Sequence, residues 1–278
     1  MVFSSLPFLF LFLTVVLLVS HILPFRFRNF FLLLANLVFY AYGEPVYVLI
    51  MIGSILVNFF AGLLMDKQST QGRRRAVLVV GIVLNLAALG VFKYAGLFVS
   101  TLREIPGLSS LPEVDIALPI GISFYTFQAV SYLIDVYWDD CAASHNLINF
   151  ASYISLFPQL IAGPIVRYKD VNEQLVSRRE TPTLFNSGVR LFVVGLAKKV
   201  LLANQFGMLW DAMSADPVAA GALGAWAGAC AYTLQIYFDF AGYSDMARGL
   251  GRMLGFEFCI NFNYPYISKS VTEFWRRW

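Results

Sequence analysis

The sequence predicts an all-α fold, a polytopic transmembrane helical bundle with re-entrant or broken helices around a central cavity. Three observations predict it. Hydrophobic residues make up 59% of the 278 positions and charged residues 13%, whereas soluble domains run nearer half and a quarter. Long runs carry no charge at all, as bilayer-spanning segments do. Helix breakers fall inside two of those runs, and irregular backbone at membrane depth is tolerated only where it is buried in protein or lines a wet cavity.

The apolar runs lie at about 6–25, 29–43, 46–65, 76–99, 118–136, 147–166, 184–204 and 218–240. A span needs about 20 residues, and the first, third, fourth and seventh runs fit that length. The first run has no basic region before it and no small-residue cleavage site near its end. It therefore reads as a retained helix and not a cleaved signal peptide. Segment 29–43 is short, as a tilted or buried helix is.

Basic residues set the orientation. Arg26 and Arg28 follow the first helix, and Lys67, Arg73, Arg74 and Arg75 follow the third. Two crossings separate these loops, so the positive-inside rule makes both cytoplasmic and the N-terminus periplasmic. The Gly43-Glu44-Pro45 turn and the loop 101–117, with Glu104, Glu113 and Asp115, then fall outside. Beyond Pro119 simple alternation fails. Asp139 and Asp140 follow one run, and Arg167, Lys169, Arg178 and Arg179 follow the next. One of 118–136 and 147–166 is expected to be re-entrant or broken, at Pro119 and Gly121 or at Pro158, Gly163 and Pro164. The polar segment 170–183 is expected on the cytoplasmic surface. No internal repeat is visible, and residues 1–278 read as a single membrane domain.

Polar groups in apolar surroundings are the candidates for function, because ionisable side chains at membrane depth are expensive. Lys93 either snorkels to the interface or faces the cavity. Lys198 and Lys199 are adjacent, so on a helix they diverge by about 100°. One should face protein or a wet path, or both anchor an interfacial helix. Gln235 and Asp239 are four apart and share a helical face. Asp245 follows an expected break at Ala241-Gly242. Asp239 and Asp245 read as a carboxylate pair for acid–base work, or as helix caps or partners of Arg248 and Arg252. Asp239 is expected to be buried and its loss to impair function. Asn261, Asn263, Trp275 and Arg276 complete the polar block. Arg276 and Arg277, between Trp275 and Trp278, form a cation–aromatic anchor or the start of a catalytic motif.

Other chemistries lack their residues. Cys141, Cys230 and Cys259 have no metal-ligand spacing, and no metal site or disulfide framework is indicated. His21 and His145 lie in no nucleophile motif, and no phosphate-binding or hydrolase signature occurs. The net charge of +3 reports topology and not a nucleic-acid partner.

Four stretches carry a resemblance: MVFSSLPFLFLFLTVV at the start, LPIGISFYTFQAVSYLIDVYW from Leu118, SLFPQLIAGPIVRYKD from Ser155, and QIYFDFAGYSDMARGLGRMLGFEFCINFNYPYISKSVTEFWRRW from Gln235. With them the chain resembles the membrane-bound O-acyltransferase family, and within it the bacterial alginate O-acetylation branch. The resemblance implies a helical ring around a thin funnel. It implies transfer of an acetyl group from a cytoplasmic donor, acetyl-CoA or a similar acyl donor, with no bound cofactor. The acceptor would be an exported polysaccharide, reached through periplasmic acetyltransferase partner proteins at the bacterial inner membrane. The family's catalytic histidine follows the WRRW-type motif. By that pattern it is expected beyond Trp278, and the chain reads as C-terminally truncated and inactive alone. The same residues leave open another envelope acceptor, such as teichoic acid or peptidoglycan, or a non-catalytic membrane scaffold or transporter.

Overall fold

A computed structural model describes residues 2–278 except 106, 107, 114, 115, 161, 162, 164 and 165. Asp115 and Pro164, both named above, lie outside the described residues. Among the described residues the chain is helical, with no strand. It forms two compact units, one of residues 25–161 and 167–175, the other of 1–24, 162–166 and 176–278.

The unit of residues 25–161 is built on α2 (Phe25–Gly43), α3 (Val48–Asp66), α4 (Gln71–Arg103), α5 (Ile122–Tyr137), α6 (Leu147–Ser155), α7 (Phe157–Leu160) and α8 (Tyr168–Ser177). Helices α3 and α4 are long and apolar enough to cross a membrane. They are joined at depth by two amides. Asn58 donates to Asn85 Oδ1 at 3.0 Å, and Asn85 donates back to Asn58 Oδ1 at 2.8 Å. A reciprocal amide pair leaves neither group unpaired in an apolar setting.

The expected break in 147–166 is present. Helix α6 stops at Ser155 after nine residues, too short for a span. Pro158 lacks an N–H, and a new turn, α7, begins at Phe157. Side chains satisfy the freed backbone. The Phe157 N–H donates to Asn36 Oδ1 at 3.1 Å, and Gln159 Nε2 donates to the Tyr153 carbonyl at 2.8 Å. Phe150 to Leu160 are buried throughout, as a broken helix away from water requires. The run from 118 also begins late. Gly121 sits at φ 78°, and a Cβ there would lie 2.7 Å from the Leu160 carbonyl oxygen. Only glycine fits both demands, so α5 starts at Ile122 and not at 118.

Ion pairs tie the end of α5. Arg74 grips Asp139 with two hydrogen bonds of 2.6 and 3.1 Å, and Lys169 meets Asp140 at 3.0 Å. The Arg74 guanidinium holds the Asp139 carboxyl below its usual range. In the same loop, burial and then the nearby Asp135 and Asp140 push the Cys141 thiol up to about 11. Only the thiolate is nucleophilic. Maleimide is therefore expected to label native Cys141 slowly at pH 7–8, roughly a hundred-fold below a thiol of ordinary pKa, and increasingly as pH nears 11. Labelling at pH 7.5 as fast as in urea-unfolded protein would contradict this.

In the other unit the first apolar run is shorter than expected. A π-helical turn Pro7–Phe12 leads into α1 (Leu13–Ile22). Leu23 is extended at ψ 141°, because the residue before a proline is driven out of the helical region. The remainder is a long hairpin. Helix α9 (Pro182–Ala197), a π-helical turn Lys198–Ala203 and α10 (Asn204–Ala215) run one way. Together they are long and apolar enough to cross a membrane. Helix α11 (Pro217–Met253), kinked at Gly221, runs back. Thr181 caps α9 by accepting the Leu184 N–H, and Asp216 caps α11 by accepting from Val218 and Ala219.

The expected break at Ala241-Gly242 does not form, and α11 passes through it. Gly242 is there for approach and not for a kink. A Cβ at Gly195 would lie 2.6 Å from the Gly242 carbonyl oxygen, and one at Gly188 would lie 2.7 Å from that of Gly249. The glycines are spaced seven apart on each helix and meet in antiparallel register. Such small-residue seams bring transmembrane helices into close contact.

Candidate functional site

The glycine seam sets the geometry of the charged groups around it. Lys198 and Lys199 open the π-helical turn, three and four residues after Gly195. Backbones this close let short acidic side chains on α11 reach them. Lys198 Nζ lies 2.6 Å from Asp245 Oδ2, and Lys199 Nζ lies 2.7 Å from Asp239 Oδ1. Arg248, one turn on from Asp245, comes within 3.5 Å of its other oxygen. Both lysines therefore face α11 and not one alone. The partners expected for Asp245 are half right, since Arg248 contacts it and no ion pair with Arg252 forms among the described residues.

Asp239 and Asp245 do not form a carboxylate pair, nor do they cap a helix. Six residues apart on one helix, they point in different directions and each takes its own lysine. The expected burial of Asp239 is also corrected, because its side chain is 41% exposed against 16% for Asp245. Gln235 lies one turn before Asp239 against Gly207, where a Cβ would come 2.9 Å from its amide nitrogen. Its Oε1 is buried with no hydrogen-bond partner among the described residues. Buried Ser244 Oγ is in the same state. Unpaired polar oxygens within apolar helices favour water or a polar ligand beside them.

The block after α11 is held by aromatic contacts. Tyr266 donates to the Thr233 carbonyl at 3.1 Å and packs on Tyr237 at 5.3 Å. Trp278 packs on Phe262 at 5.0 Å and Phe274 at 5.5 Å. Arg277 closes helix α12 (Val271–Arg277) onto Glu273, and its guanidinium also donates to the Asn263 carbonyl at 3.2 Å. Asn263 thus contributes backbone, and its N–H returns to the Arg277 carbonyl at 2.7 Å. Trp275 and Arg276 point outward and are exposed. Neither Asn261 nor Arg276 makes a side-chain hydrogen bond among the described residues. The structure therefore gathers Gln235, Asp239 and Asp245 along one hairpin, and does not bring Asn261, Trp275 or Arg276 to them.

Lys93 is exposed on α4, with its ammonium 5.4 Å from the Tyr94 ring. His21 lies 3.7 Å from Glu180, and His145 lies 3.5 Å from Asp66. No cluster of metal-ligating side chains occurs among the described residues. Sequence reasoning missed Asn36 and Asn58 as repairs of buried backbone and amide groups, although single asparagines inside apolar runs are a readable signal. It also missed the lysine–aspartate partnership, for which one sequence alone carries no signal.

Comparison with known proteins bears on the family of the chain. Residues 142–278 match the model of the membrane-bound O-acyltransferase family. The whole chain is 47% identical to a protein of Pseudomonas aeruginosa called probable alginate O-acetylase AlgI, covering 54% of it. It is 45% identical to the protein of that name from Azotobacter vinelandii, covering 56%. Over 91% of its length it is 33% identical to a peptidoglycan O-acetyltransferase of Helicobacter pylori, covering 53%. The chain spans about half the length of the curated relatives it matches. With the matched segment holding the charged face of α11 and the aromatic block after it, the chain belongs to the membrane-bound O-acyltransferase family.

Proposed function

We propose that the chain serves an O-acyltransferase of the bacterial inner membrane. It passes an acetyl group from a cytoplasmic acyl donor, acetyl-CoA or a similar thioester, toward an exported polysaccharide, alginate, with periplasmic acetyltransferases as partners. The observation that carries this reading is the 47% identity, along the entire chain, to a protein named for alginate O-acetylation.

Physical chemistry supports it. A bilayer blocks a charged, bulky donor, so the acyl end must reach the far side through a passage lined by protein. Such a passage needs polar groups held inside apolar helices at tolerable cost. The α9–α11 hairpin supplies them as lysine–aspartate pairs, with Gln235 and Ser244 left able to bind water. In this reading the broken α6–α7 backbone and the hairpin belong to one membrane domain. The N-terminus is periplasmic, and of the polar residues Gln235, Asp239 and Asp245 line the path.

Asp239→Ala separates path from scaffold. A pair exposed to this degree contributes at most about 1 kcal/mol to stability. The full-length protein is expected to fold normally while polymer-bound acetate falls about ten-fold, through misplacement of Lys199. The measurement is ester acetate per uronate in an alginate producer that depends on this protein. Wild-type acetate from Asp239→Ala would remove Asp239 from the path. Acetate absent from alginate but present on peptidoglycan would favour the acceptor named for the Helicobacter relative.

A further inference from the structure

Arg178 is buried, stacks 4.5 Å from the Phe256 ring and lies 3.8 Å from Glu180. Three other arginines of the same unit are not accounted for in this way. Arg179, Arg190 and Arg252 make no ion pair or hydrogen bond among the described residues, yet they converge. Arg190 and Arg252 line one cavity of about 410 Å³, and Arg179 and Arg252 line another of about 430 Å³. The two cavities share Arg252 with the hydroxyl side chains of Thr183 and Ser187. Like charges gathered together repel one another, and among the described residues the first cavity is lined by no acid and the second by Glu257. Guanidinium and hydroxyl donors together suit a phosphate.

We infer that this cleft binds the phosphodiester headgroup of an anionic phospholipid. Its place selects a lipid over a soluble phosphate. Thr183, Ser187 and Arg190 lie within about 12 Å of the start of a membrane-crossing helix, the depth of headgroups and of arginines that snorkel to them. The first cavity continues from its arginines onto Leu191 and Val194, and Val193 and Val194 are exposed. A lipid presents this combination, a phosphate with an acyl chain along the helix. A soluble phosphate compound has no use for the apolar extension.

The inference does not depend on the acyl-transfer reading. It is tested with the full-length protein in nanodiscs of phosphatidylcholine with phosphatidylglycerol, by counting retained lipid with native mass spectrometry. Arg179 and Arg190 are exposed and unpaired, so Arg179→Gln/Arg190→Gln leaves the fold intact. Retained phosphatidylglycerol is expected to fall about ten-fold or more in that variant. Arg103→Gln, which removes a charge paired with Glu113 at 2.6 Å, should change nothing. Equal retention by the double variant and wild type overturns the inference. So does displacement of the lipid by millimolar inorganic phosphate, which would make the cleft a site for soluble phosphate. Loss of phosphatidylcholine to the same extent would also overturn it, since the cleft would then not select anionic headgroups.

Discussion

Gly195→Leu is expected to abolish the folded hairpin. A Cβ alone at this position meets the Gly242 carbonyl oxygen at 2.6 Å and the Met246 nitrogen at 2.7 Å. Both are backbone atoms of α11, which cannot swing aside as a flexible side chain would. Relief requires the helices to separate, and separation also undoes the Gly188–Gly249 contact one heptad away. Overpacking a tight interface costs about 1–3 kcal/mol or more, and here the displaced lysine–aspartate pairs add to it. The measurement is monodisperse protein by fluorescence-detected size exclusion after graded heating. Gly195→Leu and Gly242→Leu should both fail, and Gly195→Ala should already lower the midpoint. Gly90→Ala is the contrast. Nothing lies within 4 Å of a Cβ there, so alanine should be neutral or stabilising by up to about 1 kcal/mol. A Gly195→Leu protein as heat-stable as wild type would mean that α9 and α11 do not cross at the glycines.

The hairpin also shows where sequence reasoning stops. The apolar run from 184 to 204 is legible, because helix period is local. The break near Pro158 is legible for the same reason. The π-helical turn at Lys198–Ala203 is not, because nothing in KKVLLA distinguishes i→i+5 from i→i+4 bonding. Gly242 was misread because glycine marks a kink and a close crossing alike. The heptad spacing of Gly188, Gly195, Gly242 and Gly249 was in the sequence and decides between them, once two helices are known to face each other. Lys198 and Asp245 are 47 positions apart, and their pairing depends on that crossing. Asp239 was expected to be buried because its neighbours are apolar, but apolar neighbours on a membrane helix can face lipid as well as protein. The candidate path was therefore legible as a set of residues and not as an arrangement.

That arrangement makes an asymmetric prediction about its charges. Asp245 lies between two cations, Lys198 at 2.6 Å and Arg248 at 3.5 Å, with side chains 30% and 12% exposed. Asp245→Asn leaves two positive groups facing each other without their carboxylate. Lys198→Met leaves Asp245 with Arg248 still in reach. Removing one partner of a fully buried pair costs about 3–5 kcal/mol. At this partial burial Asp245→Asn is expected to cost about 2 kcal/mol, and Lys198→Met about half of that. Adding Lys198→Met to Asp245→Asn should then recover stability, because it withdraws one of the two uncompensated cations. The cycle reads as a double variant more stable than Asp245→Asn alone, a sign that independent sites cannot produce. Thermal midpoints of the four proteins measure it in one detergent at low salt. Strictly additive losses would mean that the 2.6 Å contact carries no coupling, and that Asp245 is held by Arg248 alone. A larger loss for Lys198→Met than for Asp245→Asn would reverse the assignment, making the lysine the group whose charge the hairpin needs most.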